Sequence, residues 1–358
     1  MEPDQDMSLA ATVDAPPGWR SRTAAAHHLM RWESGLAVVV VAIGILGVST
    51  SSEFLTGTNM FNLGLQSGEI AIMALPMTLI IISGEIDLSV ASIMGMSSAL
   101  LGYLWNKHWS MLVIFVVIIL VGVLAGAING LLVTRLGLPS LAVTIGTLGL
   151  YRGVANIVLG PNTISNFPTA YTNIGVNGVV SPDLPFSAVA FIVLAIIFGV
   201  VLHFTPAGRS IYAMGASPEA ATFAGIRVKR IKTMLFIVSG VICSIAGALL
   251  TFRLSTAVNT NGLGLELDVV AVVLLGGVSI FGGKGTIVGV VLGVLAFAGI
   301  QNALLLTSFN QEAASIPVGG LLLVSVFVPN MAALTARLRA VVARRGRAAP
   351  SAIGSGHD

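Results

Sequence analysis

Apolar runs that reach the ~20 residues needed to cross a ~30 Å hydrocarbon core recur along most of this chain, and they leave few folds open. They fall near residues 34–52, 63–83, 88–106, 110–134, 139–160, 185–203, 233–252, 267–281, 285–307 and 315–335. Only 9% of the 358 residues are charged, whereas a soluble domain carries ~25%. The 41 glycines fit the same class, because small residues let membrane helices approach closely. The pattern predicts an all-α polytopic membrane protein of about ten spanning helices.

The basic residues test that count. With the N-terminus in the cytoplasm, the inward-facing segments collect 15 of the 18 Lys and Arg residues, including Arg135, Arg209, Lys229, Lys232 and Lys284. Lys107 and Arg253 fall outside, and Arg152 falls within a span. One span more or fewer would put these clusters on the wrong face, so an even number with both termini inside is expected. The net charge of +3 and pI near 9.3 therefore reflect topology and not a nucleic-acid partner. The lone Cys243 lies in an apolar run and reads as a buried, inert thiol.

Residues 1–31 are polar and contain Ala15-Pro16-Pro17-Gly18, which predicts a disordered cytoplasmic tail. The apolar stretch from Gly35 to Val48 continues without a cleavage signal and reads as an uncleaved first span. A transmembrane domain over 32–336 and a basic cytoplasmic tail over 337–358 complete the division. A weak internal echo relates two stretches: Ile86-Asp87-Leu88 parallels Leu267-Asp268-Val269, and Gly126–Val133 with Asn129 parallels Ala298–Leu305 with Asn302. The two aspartates fall on opposite sides of the expected topology, the pattern of an inverted repeat, although short apolar strings also match by chance.

The longest inside loop spans 205–232. Within it, Ser217-Pro218-Glu219-Ala220-Ala221-Thr222-Phe223-Ala224-Gly225 reads as a short capped helix. Ser217 can cap, Pro218 suits the first turn, Glu219 sits at the positive dipole end, and Gly225 supplies a left-handed stop. Such a rigid element can dock in a partner's groove, or it can lie on the membrane as a connector.

The stretch Gly208-Arg209 through Gly215 and Glu219 to Gly225-Ile226 resembles the coupling loop of bacterial ABC-importer permeases. Gly84-Glu-Ile-Asp87-Leu-Ser89, Pro139 through Thr144, Gly146, Thr147 and Arg152, and Glu266-Leu-Asp268 through Gly283 are similar to the ribose-type branch of sugar permeases. The order of these stretches from about 60 to 330 is that of the family. Glu85 replaces a frequent glycine, and Arg227-Val228-Lys229 replaces the Ile-x-Leu-Pro tail of other ABC permeases. The resemblance implies a monosaccharide or small polyol as cargo and an inner-membrane location. It also implies a separate ABC ATPase carrying ATP and Mg²⁺, a periplasmic sugar-binding protein, and a second permease copy, identical or homologous. It assigns the ATPase contact to Gly215, Ser217, Glu219, Ala220, Ala221 and Gly225. It places the binding protein on the outer loops around 161–184 and 253–266, where Arg253, Asn261 and Glu266 are candidates.

Ionisable groups inside a membrane are functional candidates by default. Glu69, Asp87, Asn129, Thr144, Thr147, Arg152 and Asp268 are the candidates for a polar path. Glu69 and Arg152 can instead form structural ion pairs or snorkel from span ends, and Asp87 and Asp268 can simply cap their own helices. The glycine run from Gly276 to Gly285 lacks the spacing and the preceding strand of a phosphate-binding loop, and reads as a tight turn. The chain shows neither a nucleotide-binding motif, nor a metal-ligand cluster, nor a nucleophile–base arrangement. The expectation is a transport subunit without catalysis or a cofactor of its own; the rival is an ion-coupled secondary transporter.

Overall fold

The computed structural model describes residues 18–181 and 184–307, with isolated positions 316, 319, 320 and 323 beyond them. The order of elements is α1 (Gly18–Thr50), α2 (Gly57–Ile82), α3 (Val90–Asn106), α4 (Met111–Thr134), α5 (Ser140–Leu159), α6 (Thr169–Val176), a two-stranded hairpin of β1 (Gly178–Ser181) and β2 (Leu184–Pro185), α7 (Phe186–Phe204), α8 (Pro206–Ala216), α9 (Pro218–Phe223), α10 (Val228–Leu254), α11 (Leu265–Leu275) and α12 (Ile287–Leu306). The fold is that of an all-α polytopic protein. Among the described residues, seven helices are long and apolar enough to cross a membrane: α1 from Trp32, α2, α4, α5, α7, α10 and α12.

Two expected spans prove shorter. α3 has 17 residues and α11 has 11, so α11 rises only about 16 Å, half of a hydrocarbon core. The span expected over 267–281 thus stops at Leu275. Gly276 and Gly277 turn the chain, and Gly277, Gly282, Gly283 and Gly285 take positive φ through the next ten residues. Apolarity continues past the helix end, so hydropathy alone conceals the break. A second correction concerns the N-terminal segment. Residues 18–31, expected as disordered tail, are already helical, consistent with the good helix formers Ala24-Ala25-Ala26. The span expected over 315–335 and the tail 337–358 lie outside the described residues.

α2 is the axis of the bundle. Every residue from Gly68 to Ile82 is buried, Pro76 included, so this proline sits within packed helix and does not line an opening. α10 lies between α2, α3 and α4. Its seam with α4 is built from glycines: a Cβ on Gly126 would strike the Phe236 carbonyl, and one on Gly122 or Gly240 would strike the backbone across the seam. Close approach of backbones replaces the hydrophobic driving force that lipid removes. Hydroxyls also tie α10 to its neighbours, with Thr134 of α4 to Thr233 at 2.8 Å, and Ser97 and Ser98 of α3 to Ser244 at 3.0 Å and Thr251 at 2.7 Å. Cys243 is fully buried here, 4.0 Å from the Ser239 hydroxyl.

Segments that a ten-span path would place on one face do meet. On one side, Gly283 N–H donates to Ile82 O at 2.8 Å and Lys232 pairs with Glu85 at 2.5 Å. On the other, Ile164 and Ala257 form an antiparallel bridge, and Trp105 Nε1 donates to Asn166 O at 3.2 Å. Phe115, Phe167, Tyr171 and Phe252 form an aromatic cluster with ring centroids 5.5–6.1 Å apart, mostly tilted or edge-on, with only Tyr171 and Phe252 stacked. The two loops expected to receive a docking protein are therefore joined.

Candidate coupling and translocation sites

The loop between α7 and α10 carries two helices, not one. Thr205 accepts from Gly208 N at 3.4 Å to start α8, and Ser217 accepts from Ala220 N at 3.2 Å to start α9. Each cap is followed by proline, at Pro206 and Pro218. The Thr205-Pro206 signal equals that of Ser217-Pro218, yet the sequence reading used only the second. α9 ends as expected, with Gly225 at φ +83.

α9 presents Glu219, Ala220 and Phe223 outward; Phe223 is 92% exposed. Phe223 was not among the expected contacts, although it is the sole aromatic in an element of otherwise small residues. Two expected contacts are corrected. Ala221 is buried, turned inward as α9 rests on α10. Gly215 is partly buried in a backbone clasp: a Cβ there would collide with Ile82 O and Gly283 N. Gly282 in turn lies against Gly84 and the Gly215 carbonyl. Tyr212 adds a hydrogen bond to Gly285 O at 2.6 Å; burial, with Glu33 nearby, pushes its phenol up to about 12, so it remains a donor at neutral pH. The root of α9 is thus fastened to the end of α2 and to the turn after α11. Any force on α9 reaches both.

Two non-helical segments interrupt the bundle. The first, 84–89, leads into α3. Its Asp87 is fully buried and accepts from Ser89 N at 3.0 Å and Ser89 Oγ at 2.6 Å, with Ser239 Oγ at 3.4 Å. Asn129 donates to Ser89 Oγ at 2.7 Å, and Tyr151 donates to Ala125 O at 2.9 Å and to Asn129 Oδ1 at 3.3 Å. The start of α5 holds the same segment, since Ser140 Oγ accepts from Ile86 N at 3.1 Å and Thr144 donates to Ser140 O at 2.8 Å and Ile86 O at 3.3 Å. Thr147 is buried and bonded to Thr144 O. Asp87, Asn129, Thr144 and Thr147 are brought together, as a sealed network and not as a lining. Asp87 binds the backbone two residues on, the Asx turn that caps a helix start.

The second segment, 255–264, leads into α11. Arg152 reaches it from α5, donating to Asn261 O and Gly262 O at 2.6 Å each and to Ala91 O at 3.2 Å. One guanidinium thus satisfies carbonyls that a broken helix frees. Glu266 and Asp268 follow in the first turn of α11, half-buried, with no hydrogen bond or ion pair among the described residues.

Three expectations change on the side expected to face outward. Glu69 is buried and paired with Arg253 Nε at 2.9 Å, 184 residues away, so neither is free for cargo or docking. Asn261 is buried and donates to Ser98 Oγ at 2.8 Å and to Thr256 O at 3.2 Å, which removes it from the docking surface. The echo between Asn129 and Asn302 stops at sequence, because Asn302 pairs with Asn59 and not with the Asp268 segment.

The family model described as "Branched-chain amino acid transport system / permease component" matches residues 59–326, from α2 through the clasp, both broken segments and beyond. The chain belongs to this permease family. Its curated relatives are of the ribose type that the motifs resemble. The ribose import permease of Bacillus subtilis is 34% identical over 82% of this chain and 90% of its own length. That of Haemophilus influenzae is 31% identical over 84% and 94%, and the autoinducer 2 import permease LsrC of Salmonella choleraesuis is 30% identical over 76% and 78%. No solved structure matches significantly. Permeases of this family are transport subunits and multi-pass membrane proteins, and this chain is one of them. The matched region holds every candidate residue of the sequence reading.

Proposed function

We propose that this chain is the membrane-spanning subunit of an ATP-binding-cassette importer that carries a monosaccharide or similar small polyol across a bacterial inner membrane. Both termini lie in the cytoplasm. A separate ATPase binds ATP and Mg²⁺ and pushes on α9, a periplasmic binding protein delivers the sugar, and a second permease copy closes the path. The ribose and autoinducer 2 relatives support a sugar-like cargo. The observation that carries the reading is the clasp: α9 projects Phe223 and Glu219 while its root is locked to α2 and to the turn after α11. A knob held this way converts ATPase closure into relative movement of packed helices, as alternating access needs.

The two half-buried acids at the start of α11 are the groups best placed to meet sugar hydroxyls. They are ionisable, and among the described residues neither makes a hydrogen bond or ion pair, although Glu266 acts on the Arg152 guanidinium through space. Asp87 and Glu69 are already consumed by internal bonds.

The test is Glu219→Arg combined with Phe223→Ala. Membrane insertion stays intact, while co-purification of the ATPase and ATP-dependent sugar uptake both fall at least about tenfold, the effect of losing an aromatic anchor and inverting a charge in a small interface. Unchanged co-purification with unchanged uptake removes the coupling role. Uptake that survives ATP depletion but collapses with the ion gradient would establish the secondary-transporter reading instead.

A further inference from the structure

A cavity of about 780 Å³ opens between α7 and α10, beside α8 and the segment that follows α9. Its walls are apolar, with Ile197 of α7, Leu79 of α2, and Met234 and Val238 of α10. Its mouth is not: Arg227 and Arg230 stand there. Both arginines are exposed, and neither makes an ion pair or a side-chain hydrogen bond among the described residues. Arg227 is the N-cap residue of α10 and Arg230 lies in its first turn, which has no side-chain cap and no acid, so the positive dipole end adds to their charge.

We propose that this groove seats one anionic phospholipid of the cytoplasmic leaflet. Its phosphate lies between Arg227 and Arg230, and one acyl chain runs down between α7 and α10. Three observations favour a lipid over a protein segment or a soluble anion. The cations sit at one end of an otherwise apolar trough, the polarity of a phospholipid and not of a free phosphate. From Arg227 to Val238 the trough follows α10 for about 16 Å, which matches the half-thickness of a ~30 Å hydrocarbon core. Basic sites at the cytoplasmic ends of spanning helices attract anionic headgroups.

The position has a consequence. Ala224, Gly225 and Ile226 end α9 and also line the groove, so an occupied groove braces α9. That consequence rests on the coupling role proposed above; the occupancy itself does not.

The experiment uses the full-length chain in nanodiscs of phosphatidylcholine with or without phosphatidylglycerol, followed by native mass spectrometry of retained lipid. Wild type is expected to keep one phosphatidylglycerol in preference to phosphatidylcholine. Arg227→Gln with Arg230→Gln should weaken retention roughly 30-fold, the effect of removing two interfacial cations. Val238→Trp fills the trough without touching charge and should also expel the lipid. Excess glycerol phosphate should not compete, because it lacks the chain. Equal phosphatidylglycerol retention by wild type and either variant overturns the proposal. So does full competition by glycerol phosphate, or a disulfide between two copies carrying Val238→Cys, which would mark the groove as a protein interface.

Discussion

The two broken segments look alike in sequence and are used in opposite ways. Asp87 precedes α3 and Asp268 lies in the first turn of α11, each in an Ile/Leu-Asp-Leu/Val setting. Around 84–89, α4, α5 and α10 all contribute side chains, and no buried side-chain polar atom among the described residues is left without a partner. Around 255–268, Arg152 secures the backbone while Glu266 and Asp268 make no hydrogen bond or ion pair among the described residues. One break is a hub that fixes helices in place, and the other keeps polar groups in reserve. A motif opening a helix therefore does not reveal whether its carboxylate is structural or functional; the partners arriving from elsewhere in the chain decide that.

Substitutions can break this contrast. The largest effect belongs to the Glu69–Arg253 ion pair. Glu69→Gln leaves Arg253 without its counter-charge and should cost about 3 kcal/mol, read as a fall in detergent melting temperature, whereas Glu69→Met with Arg253→Met should recover most of it. Next is Arg152→Met, which strands the carbonyls of Asn261, Gly262 and Ala91 and should cost about 2–3 kcal/mol, with Arg152→Lys intermediate because it cannot span them. Asp87→Ala removes the acceptor for Ser89 and should cost about 1–3 kcal/mol. Asp268→Asn is the smallest, within about 0.5 kcal/mol of wild type in stability. It should nonetheless change the sugar concentration that half-saturates uptake. Equal stability losses for Asp87→Ala and Asp268→Asn would erase the contrast.

Much of this was legible beforehand. The helical runs, the Ser217 cap, the Gly225 stop and the turn through Gly276–Gly285 follow from local patterns that backbone chemistry enforces. What escaped was set by distance. Nothing near Glu69 announces Arg253, and nothing near Gly215 announces the Ile82 and Gly283 backbones that require a glycine there. Hydropathy also could not shorten α11, because Val278, Ile280 and Phe281 remain apolar after the helix has ended. Arg152 shows the same limit, since a cation within a span reads identically whether it faces a carboxylate, a path or freed carbonyls.

The proposed coupling needs α9 to reach into the cytoplasm as the handle of the bundle. Cys243 is the chain's one cysteine, so Cys243→Ser with Phe223→Cys gives a single reporter on that helix. A membrane-impermeant maleimide applied to intact cells should leave it unlabelled. Permeabilisation should expose it, and co-expression of the ATPase should protect it again. Labelling of residue 223 from outside intact cells would contradict the topology, and with it the coupling mechanism.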